Sequence, residues 1–155
     1  MELKTIIHAE EGKQDLTITR MFELPVELLF KAYTEAELVE QWMGTKVIKL
    51  ENKSHGGYQF ETSDAKGNVL VKMNGSIHAV VENKKIIRTF EMENAPFDVQ
   101  LEFLSFEEID EENSKLTIHS IYKSAALRDQ MLKLPFAQGI NMAHNRLQDI
   151  VQKLK

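Results

Sequence analysis

Two arginines carry the clearest chemical signal in this sequence. Arg20 and Arg88 each lie on the apolar side of a segment in which apolar and polar residues alternate. A buried guanidinium must be paired or directed at an anion, because removing its charge from water is costly. Each arginine could therefore anchor a carboxylate, enolate or phosphate group of a ligand. The alternative is a structural role, in which each pairs with an internal carboxylate such as Glu23 or Glu91, or extends to solvent at the sheet edge.

Histidines are the next candidates for chemistry. The sequence holds five of them, namely His8, His55, His78, His119 and His144. None falls in the H-E-x-x-H pattern or a comparable spacing of metal ligands, so we predict no metal site. His78 and His119 fall on the polar side of alternating segments, and His144 falls off the apolar stripe of its helix. We therefore expect these three side chains to be solvated.

The sequence lacks the common catalytic motifs. It has no G-x-S-x-G serine motif, no phosphate-binding Walker loop, no G-x-G-x-x-G dinucleotide motif and no cysteine. Acid–base chemistry would have to use Tyr58, Tyr122, an inward arginine or a carboxylate. An inward tyrosine is more often a core residue with a hydrogen-bonded hydroxyl. We therefore predict no catalytic residue and no cofactor, and an enzyme is the less favoured class.

The first elements that must position these residues are a strand and two helices. Residues 15–23 alternate as a β-strand, and Pro25 then stands where the first turn of a helix tolerates a missing N–H. Apolar residues at helical spacing predict a helix that ends near Thr34 and a second short helix over residues 36–42.

The remaining elements are predicted from turn residues and from a second helical stripe. Between Thr45 and Lys123, turn-forming segments separate six short strands, which must be antiparallel because the turns are tight. A long helix starts near Pro135. The order β-α-α-β6-α predicts an α+β fold, in which a curved antiparallel sheet of about seven strands wraps around the C-terminal helix.

A cavity is expected between the sheet and that helix. The sheet must bury its apolar face, and the C-terminal helix is the only predicted element long enough to cover it. Strand parity predicts that Gln100 and Glu102 face outward. Gly139 lies mid-helix, where glycine costs about 1 kcal/mol relative to alanine, so we interpret it as making room for close packing or for a ligand. The predicted lining residues are Arg20, Trp42, Tyr58, Phe60, Met73, Arg88, Phe90, Leu101, Phe103, Tyr122, Phe136, Gly139, Ile140 and Ala143.

Composition narrows the function classes. The chain has 155 residues with 19 basic and 24 acidic side chains, a formal charge of −5. A net negative chain without a basic run lacks the patch that nucleic-acid binding needs. It also has neither an apolar run of about 18 residues nor a signal pattern, so we expect no membrane partner and a cytoplasmic location. Without a linker or an internal repeat, residues 1–155 are predicted to form one domain.

The order of elements resembles the helix-grip fold of the START-like, or SRPBCC, superfamily. Residues 16–44 (LTITRMFELPVELLFKAYTEAELVEQWMG) are similar to the opening of the branch that resembles activators of the heat-shock-protein ATPase. Residues 56–60 (GGYQF), residues 83–90 and the helix segment 138–147 are similar to further motifs of that branch, in the same order. The resemblance covers nearly the whole chain and implies a cavity between sheet and helix.

Several functions are compatible with this resemblance, because the superfamily contains ligand carriers, polyketide cyclases and chaperone-activating domains. Our leading hypothesis is a binding protein for a hydrophobic or aromatic small molecule, with an anionic group held by an arginine. One alternative is a cyclase- or hydrolase-like enzyme in which an arginine stabilises an oxyanion. Another is an interaction module with a chaperone as partner. An exposed sheet edge would also allow a homodimer.

Overall fold

The computed structural model describes residues 3–155, which form eight β-strands, four α-helices and a final short 3₁₀ helix. The strands are β1 (Ile6–His8), β2 (Asp15–Phe22), β3 (Lys46–Leu50), β4 (Gly57–Ser63), β5 (Val69–Val81), β6 (Lys85–Met92), β7 (Gln100–Glu108) and β8 (Ser114–Ile121). The helices are α1 (Val26–Thr34), α2 (Ala36–Met43), α3 (Ala125–Lys133), α4 (Phe136–Val151) and the 3₁₀ helix (Gln152–Leu154). None of these helices is long and apolar enough to cross a membrane.

The strands form one sheet in the order β1-β2-β8-β7-β6-β5-β4-β3. From β3 to β8 each strand pairs antiparallel with the next along the chain, which confirms the predicted meander. Strand β2 pairs with β8, and β1 adds an edge beyond it. The sheet has one strand more than predicted, because three residues of β1 are too few to show a periodicity.

Helices α1 and α2 lie where the sequence predicts, and α2 ends one residue later than predicted, at Met43. Pro25 precedes α1, and its carbonyl accepts the first helical hydrogen bonds. The apolar side of α1 is buried in the main core. Gly44 ends α2 with a φ of 66°, a left-handed conformation that glycine adopts without a Cβ penalty. Trp42 Nε1 donates to the Ala32 carbonyl at 2.7 Å, which fixes the two helices to each other.

Helix α4 packs its apolar side into the main core, as the predicted helix-grip arrangement requires. Its buried residues are His144, Leu147, Gln148 and Val151. The Gln148 side chain accepts from the backbone N–H of Glu23 at 2.9 Å and donates to the Glu23 carbonyl at 3.3 Å. The helix is thereby connected to the segment between β2 and α1.

Helix α3 was not predicted from the sequence. Among its nine residues only Arg128 and Met131 are buried, so its apolar stripe is too weak to show a helical period. Arg128 is 2% exposed, and its Nη1 donates to the carbonyls of Glu10 and Asp15 at 2.7 and 2.9 Å. These bonds hold α3 against the turn between β1 and β2.

The placement of α4 predicts the effect of a charge at its centre. Leu147 is fully buried, so Leu147→Asp should unfold the protein, because an unpaired buried carboxylate costs several kcal/mol against a total stability of about 5 to 15 kcal/mol. Leu154→Asp is the matched control, since Leu154 is 54% exposed. Thermal unfolding followed by circular dichroism measures both variants. An unchanged melting temperature in Leu147→Asp would contradict this packing.

Candidate functional site

A cavity of about 260 Å³ lies between the sheet and the helices. Strands β2, β6, β7 and β8 form one wall, and residues of all four α-helices form the other. Its surface is mainly apolar, with a smaller set of polar groups. Seven of the predicted lining residues line it: Trp42, Arg88, Phe90, Tyr122, Phe136, Ile140 and Ala143.

Arg88 and Glu102 form an ion pair at the wall of this cavity. They are direct cross-strand partners on β6 and β7, and Arg88 Nε lies 3.1 Å from Glu102 Oε1. Gln100 Nε2 donates to Glu102 Oε2 at 3.1 Å, so both carboxylate oxygens are engaged. The charged side chains are only 13% and 12% exposed. Arg88 therefore has an internal carboxylate partner, which is Glu102 and not Glu91.

Tyr58 supports Arg88 without lining the cavity. The Arg88 guanidinium carbon lies 5.0 Å from the centre of the Tyr58 ring, a cation–π contact. The Tyr58 hydroxyl donates to the Thr89 carbonyl at 2.6 Å. Gly75 is the cross-strand partner of Tyr58, and a Cβ at Gly75 would collide with the tyrosine ring. Burial alone would lower the pKa of Arg88, but the adjacent Tyr58 and Glu102 outweigh it and raise that pKa.

Leu101 and Phe103 face away from the cavity, so their predicted orientation was wrong. The β7–β8 register pairs Leu104 with Ile118, which places the even-numbered residues of both strands on the cavity side. Glu102 therefore faces inward, contrary to prediction. Leu101 and Phe103 line a shallow groove on the opposite face of the sheet.

Phe60 and Met73 also lie outside the cavity lining. Phe60 is buried in a second core cluster with Val39, Tyr58 and Ile77, and Met73 packs against this cluster. The two residues face inward as predicted, but they fill the space beside α2. They belong to the packing of β4 and β5 rather than to the cavity.

Gly139 is exposed and makes no room for a ligand. A Cβ built at this position would meet no atom of the described chain within 4 Å. The cavity side of α4 is formed by Phe136, Ile140, Ala143 and His144. At 100° per residue, Gly139 lies outside this stripe, so its predicted position was wrong.

Arg20 is buried at 2% exposure but does not line the cavity. Its Nη1 donates to Thr5 Oγ1 at 3.4 Å and to Asn141 Oδ1 at 3.3 Å, and its Nε donates to the Met21 carbonyl at 3.3 Å. Burial lowers the pKa of Arg20, and the charge of Asp149 opposes this effect. The guanidinium is thus held by neutral oxygens from β2, α4 and the N-terminal segment.

His144 lines the cavity and is 1% exposed, so the prediction that it is solvated was wrong. Its Nδ1 lies 2.7 Å from Thr5 Oγ1, and its Nε2 lies 3.4 Å from the Tyr33 hydroxyl. Burial, assisted by the charge of Arg20, lowers the pKa of His144 to about 3. The imidazole is therefore neutral near pH 7. By contrast, His78 is exposed as predicted.

Reasoning from the sequence missed most of the polar lining. The missed polar residues are Tyr33, Gln100, Glu102, Ser120 and His144. Glu102 had a detectable signal, because an inward Arg88 requires a carboxylate and β7 is the next strand along the chain. Tyr33 and His144 had none, since a tyrosine on an apolar helix side and a histidine in a polar sequence context each have common structural explanations.

Comparison with known proteins identifies the family. The family model described as Activator of Hsp90 ATPase homolog 1-like protein matches residues 23–152. The chain belongs to this family. The match includes every element from α1 to α4, and so it contains every residue that lines the cavity except Ile18 on β2. None of the curated proteins matches the chain.

Solved structures of several bacterial proteins share the fold of this chain. A protein from Rhodobacter sphaeroides is 17% identical with a TM-score of 0.82, and the match covers 97% of this chain and 100% of that one. A protein from Mycobacterium smegmatis is 22% identical with a TM-score of 0.80, over 95% and 96% of the two chains. A protein from Staphylococcus epidermidis is 19% identical with a TM-score of 0.78, over 100% and 96%. At these identities, the matches establish the helix-grip fold alone.

The Arg88–Glu102 pair predicts a specific pattern of stabilities. Arg88→Met leaves the Glu102 carboxylate largely buried without its cation, so the free energy of unfolding should fall by about 3 to 5 kcal/mol. The double variant Arg88→Met/Glu102→Leu should recover most of this loss, because it removes both charges. Urea denaturation of the single and double variants measures the effect. A double variant less stable than Arg88→Met would contradict this account.

The low pKa of His144 predicts a pH dependence of stability. Its folded pKa of about 3 lies below the ordinary value of 6.5, so the unfolded chain takes up the proton first as the pH falls. Between pH 6.5 and about pH 3, protonation of His144 should therefore lower the free energy of unfolding by up to about 1.4 kcal/mol per pH unit. Above pH 6.5 the contribution of His144 is constant. His144→Gln should lose this component. Urea denaturation at several pH values measures both proteins, and a stability difference that does not change with pH would contradict the prediction.

Proposed function

We propose that this protein binds a small, neutral, predominantly hydrophobic molecule, with an aromatic ring system as the best fit. The observation that carries the proposal is the cavity between sheet and helices, whose apolar walls enclose a limited set of convergent polar groups. Buried polar groups that face a cavity fix the orientation of a ligand, while the apolar walls contribute most of the affinity.

The cavity volume limits the ligand size. At about 260 Å³ the cavity lies just below the range of about 300 to 1,000 Å³ that is usual for small-molecule sites. This volume favours a compound with one or two rings over a long-chain lipid. Three methionines, Met43, Met92 and Met131, line the cavity and allow some adjustment, because their side chains are unbranched and flexible.

The charge balance of the cavity favours a neutral ligand. The sequence suggested an arginine that anchors an anion, but the Arg88 charge is matched by Glu102 at 3.1 Å. A ligand carboxylate near Arg88 would meet the repulsion of Glu102 as well as the attraction of the guanidinium. An anionic group therefore has little to gain in this cavity and would lose its hydration.

The protonation states of the cavity residues favour binding over acid–base catalysis. His144 is a poor general base, since its pKa is lowered to about 3 by burial. Burial raises the pKa of Tyr122 to about 12 and also raises the pKa of Tyr33, so both phenols stay protonated near pH 7. Glu102 is engaged by Arg88 and Gln100. These groups are suited to donating and accepting hydrogen bonds rather than to moving protons.

Binding of methylnaphthalene tests the proposal, with naphthoate as its carboxylate counterpart. We expect micromolar binding of methylnaphthalene by isothermal titration calorimetry and no gain for naphthoate. Ala143→Leu adds bulk to the cavity wall and should weaken binding at least ten-fold, which corresponds to about 1.4 kcal/mol. Gly139→Leu adds the same kind of bulk on the exposed side of α4 and should leave binding unchanged.

Two results would contradict the proposal. Absence of methylnaphthalene binding to the folded protein would exclude an aromatic-binding cavity. Equal losses of affinity in Ala143→Leu and Gly139→Leu would show that binding occurs elsewhere. The family description names an activator of a chaperone ATPase, and a chaperone contact would then become the leading function. Such a contact should be insensitive to Ala143→Leu, since this side chain points into the cavity.

A further inference from the structure

Four polar side chains form a continuous chain from the N-terminal segment to the cavity. Arg20 Nη1 donates to Thr5 Oγ1 at 3.4 Å, Thr5 Oγ1 lies 2.7 Å from His144 Nδ1, and His144 Nε2 lies 3.4 Å from the Tyr33 hydroxyl. Thr5, Arg20 and His144 are 7%, 2% and 1% exposed. Only Tyr33 and His144 of these four line the cavity. The inference below rests on the proposed function, since it concerns which ligand this cavity selects.

The buried Thr5 hydroxyl determines which nitrogen of His144 carries the proton. Arg20 can only donate, so Thr5 Oγ1 accepts that bond and its own proton must go elsewhere. Among residues 3–155, the only acceptor within reach of this hydroxyl is His144 Nδ1. Because His144 is neutral, Nδ1 accepts and Nε2 carries the ring proton.

The opposite tautomer would leave a buried donor without a partner. With the proton on Nδ1, the imidazole would donate to Thr5 Oγ1, and the Thr5 proton would have no acceptor among the described residues. Leaving a buried donor without a hydrogen bond is energetically costly, so this tautomer is disfavoured. Thr5 does not line the cavity, so neither water nor a ligand held there could relieve that cost.

The favoured tautomer of His144 also determines the direction of the Tyr33 hydroxyl proton. His144 Nε2–H donates to the Tyr33 oxygen, so the Tyr33 proton is turned away from the histidine. Residues 3–155 offer this proton no other acceptor, whereas the cavity adjoins the hydroxyl. The Tyr33 ring is held in place by Trp42 and Phe106, whose ring centres lie 5.0 and 5.7 Å from its own. The hydroxyl is therefore a positioned donor, with little freedom to turn elsewhere.

We propose that the chain Arg20–Thr5–His144 holds the Tyr33 hydroxyl as a hydrogen-bond donor to the bound ligand, so that the protein selects neutral aromatic ligands that carry a hydrogen-bond acceptor. Tyr33 is the specificity-determining residue, and Thr5 and His144 are positioning residues. A neutral ligand without an acceptor would leave the Tyr33 proton unsatisfied in a dry cavity. The same penalty would fall on a ligand whose polar group can only donate.

The tautomer itself is tested without any ligand. In ¹⁵N NMR spectra of the protein, the His144 resonances should show a protonated Nε2 and an unprotonated Nδ1 near pH 7. Thr5→Val removes the hydroxyl while keeping the side-chain shape, and it should abolish this preference. Thr5→Ser keeps the hydroxyl and should restore it. A protonated Nδ1 in the unmodified protein would overturn the inference and leave the proposed binding function untouched.

Ligand selection is tested with naphthonitrile, which carries an acceptor, and methylnaphthalene, which does not. We expect naphthonitrile to bind about ten-fold more tightly, and its nitrile stretching frequency to shift upward as the nitrogen accepts a hydrogen bond. Tyr33→Phe should remove both the affinity advantage and the frequency shift. Thr5→Val should weaken both effects, and Thr5→Ser should retain them. Methylnaphthalene should bind all four proteins, and it should bind Tyr33→Phe at least as tightly as the unmodified protein, because that variant has no hydroxyl proton to leave unsatisfied. Its binding separates loss of the donor from loss of the fold.

The outcomes separate the two proposals. If methylnaphthalene binds and naphthonitrile has no advantage, or if the frequency shift persists in Tyr33→Phe, the inference is wrong and the aromatic-binding function stands. If neither probe binds the folded protein, both proposals fail. If Thr5→Val retains the full advantage and frequency shift, Tyr33 acts without the positioning chain and that part of the inference is overturned.

Discussion

The ion pair between Arg88 and Glu102 is the constraint on which the site depends. Both residues lie on the cavity side of the sheet, where an unpaired charge would be prohibitive. Their direct pairing across β6 and β7 fits only the observed register, because a shift of one residue would send Glu102 to the opposite face. The same register places Leu104 and Phe106 in the core. It also places Leu101 and Phe103 on the opposite face of the sheet, where they line the groove described above.

The pair also determines the chemical character of the cavity. With its charges matched, the β6–β7 wall contributes dipoles rather than a net charge, and Gln100 extends this neutral network. On the helical side, burial keeps His144 neutral, and the positive charge of the adjacent Arg20 acts in the same direction. Neither the sheet wall nor the helical wall therefore presents a net charge to the cavity. A ligand in this space meets apolar surface and oriented hydrogen-bonding groups, and among residues 3–155 no unpaired cation lines the cavity to attract an anion.

Much of the fold could be predicted from local sequence features. Pro25, the apolar stripes of α1 and α4, and the turn-forming segments between strands are each determined by neighbouring residues, so short windows suffice to detect them. Strand β1 and helix α3 were missed, since one is three residues long and the other buries only two side chains. The orientation of β7 was predicted wrongly. Both of its faces carry apolar residues, and only the register of the following hairpin decides between them.

The candidate site was predicted less completely, because its polar half depends on contacts between distant positions. Thr5 and His144 are 139 positions apart in the sequence, and neither is unusual in its own segment. The apolar lining residues needed only the correct face of a strand or helix, which is why Phe90, Ile140 and Ala143 were found. Polar lining residues also needed a partner within hydrogen-bond distance, since burial is tolerated only when such a partner exists. For His144 this partner is supplied by tertiary packing, because β1 and the segment before it bring Thr5 against α4. The contact with Thr5 allows His144 to be buried at a position where the sequence pattern predicts a solvated histidine.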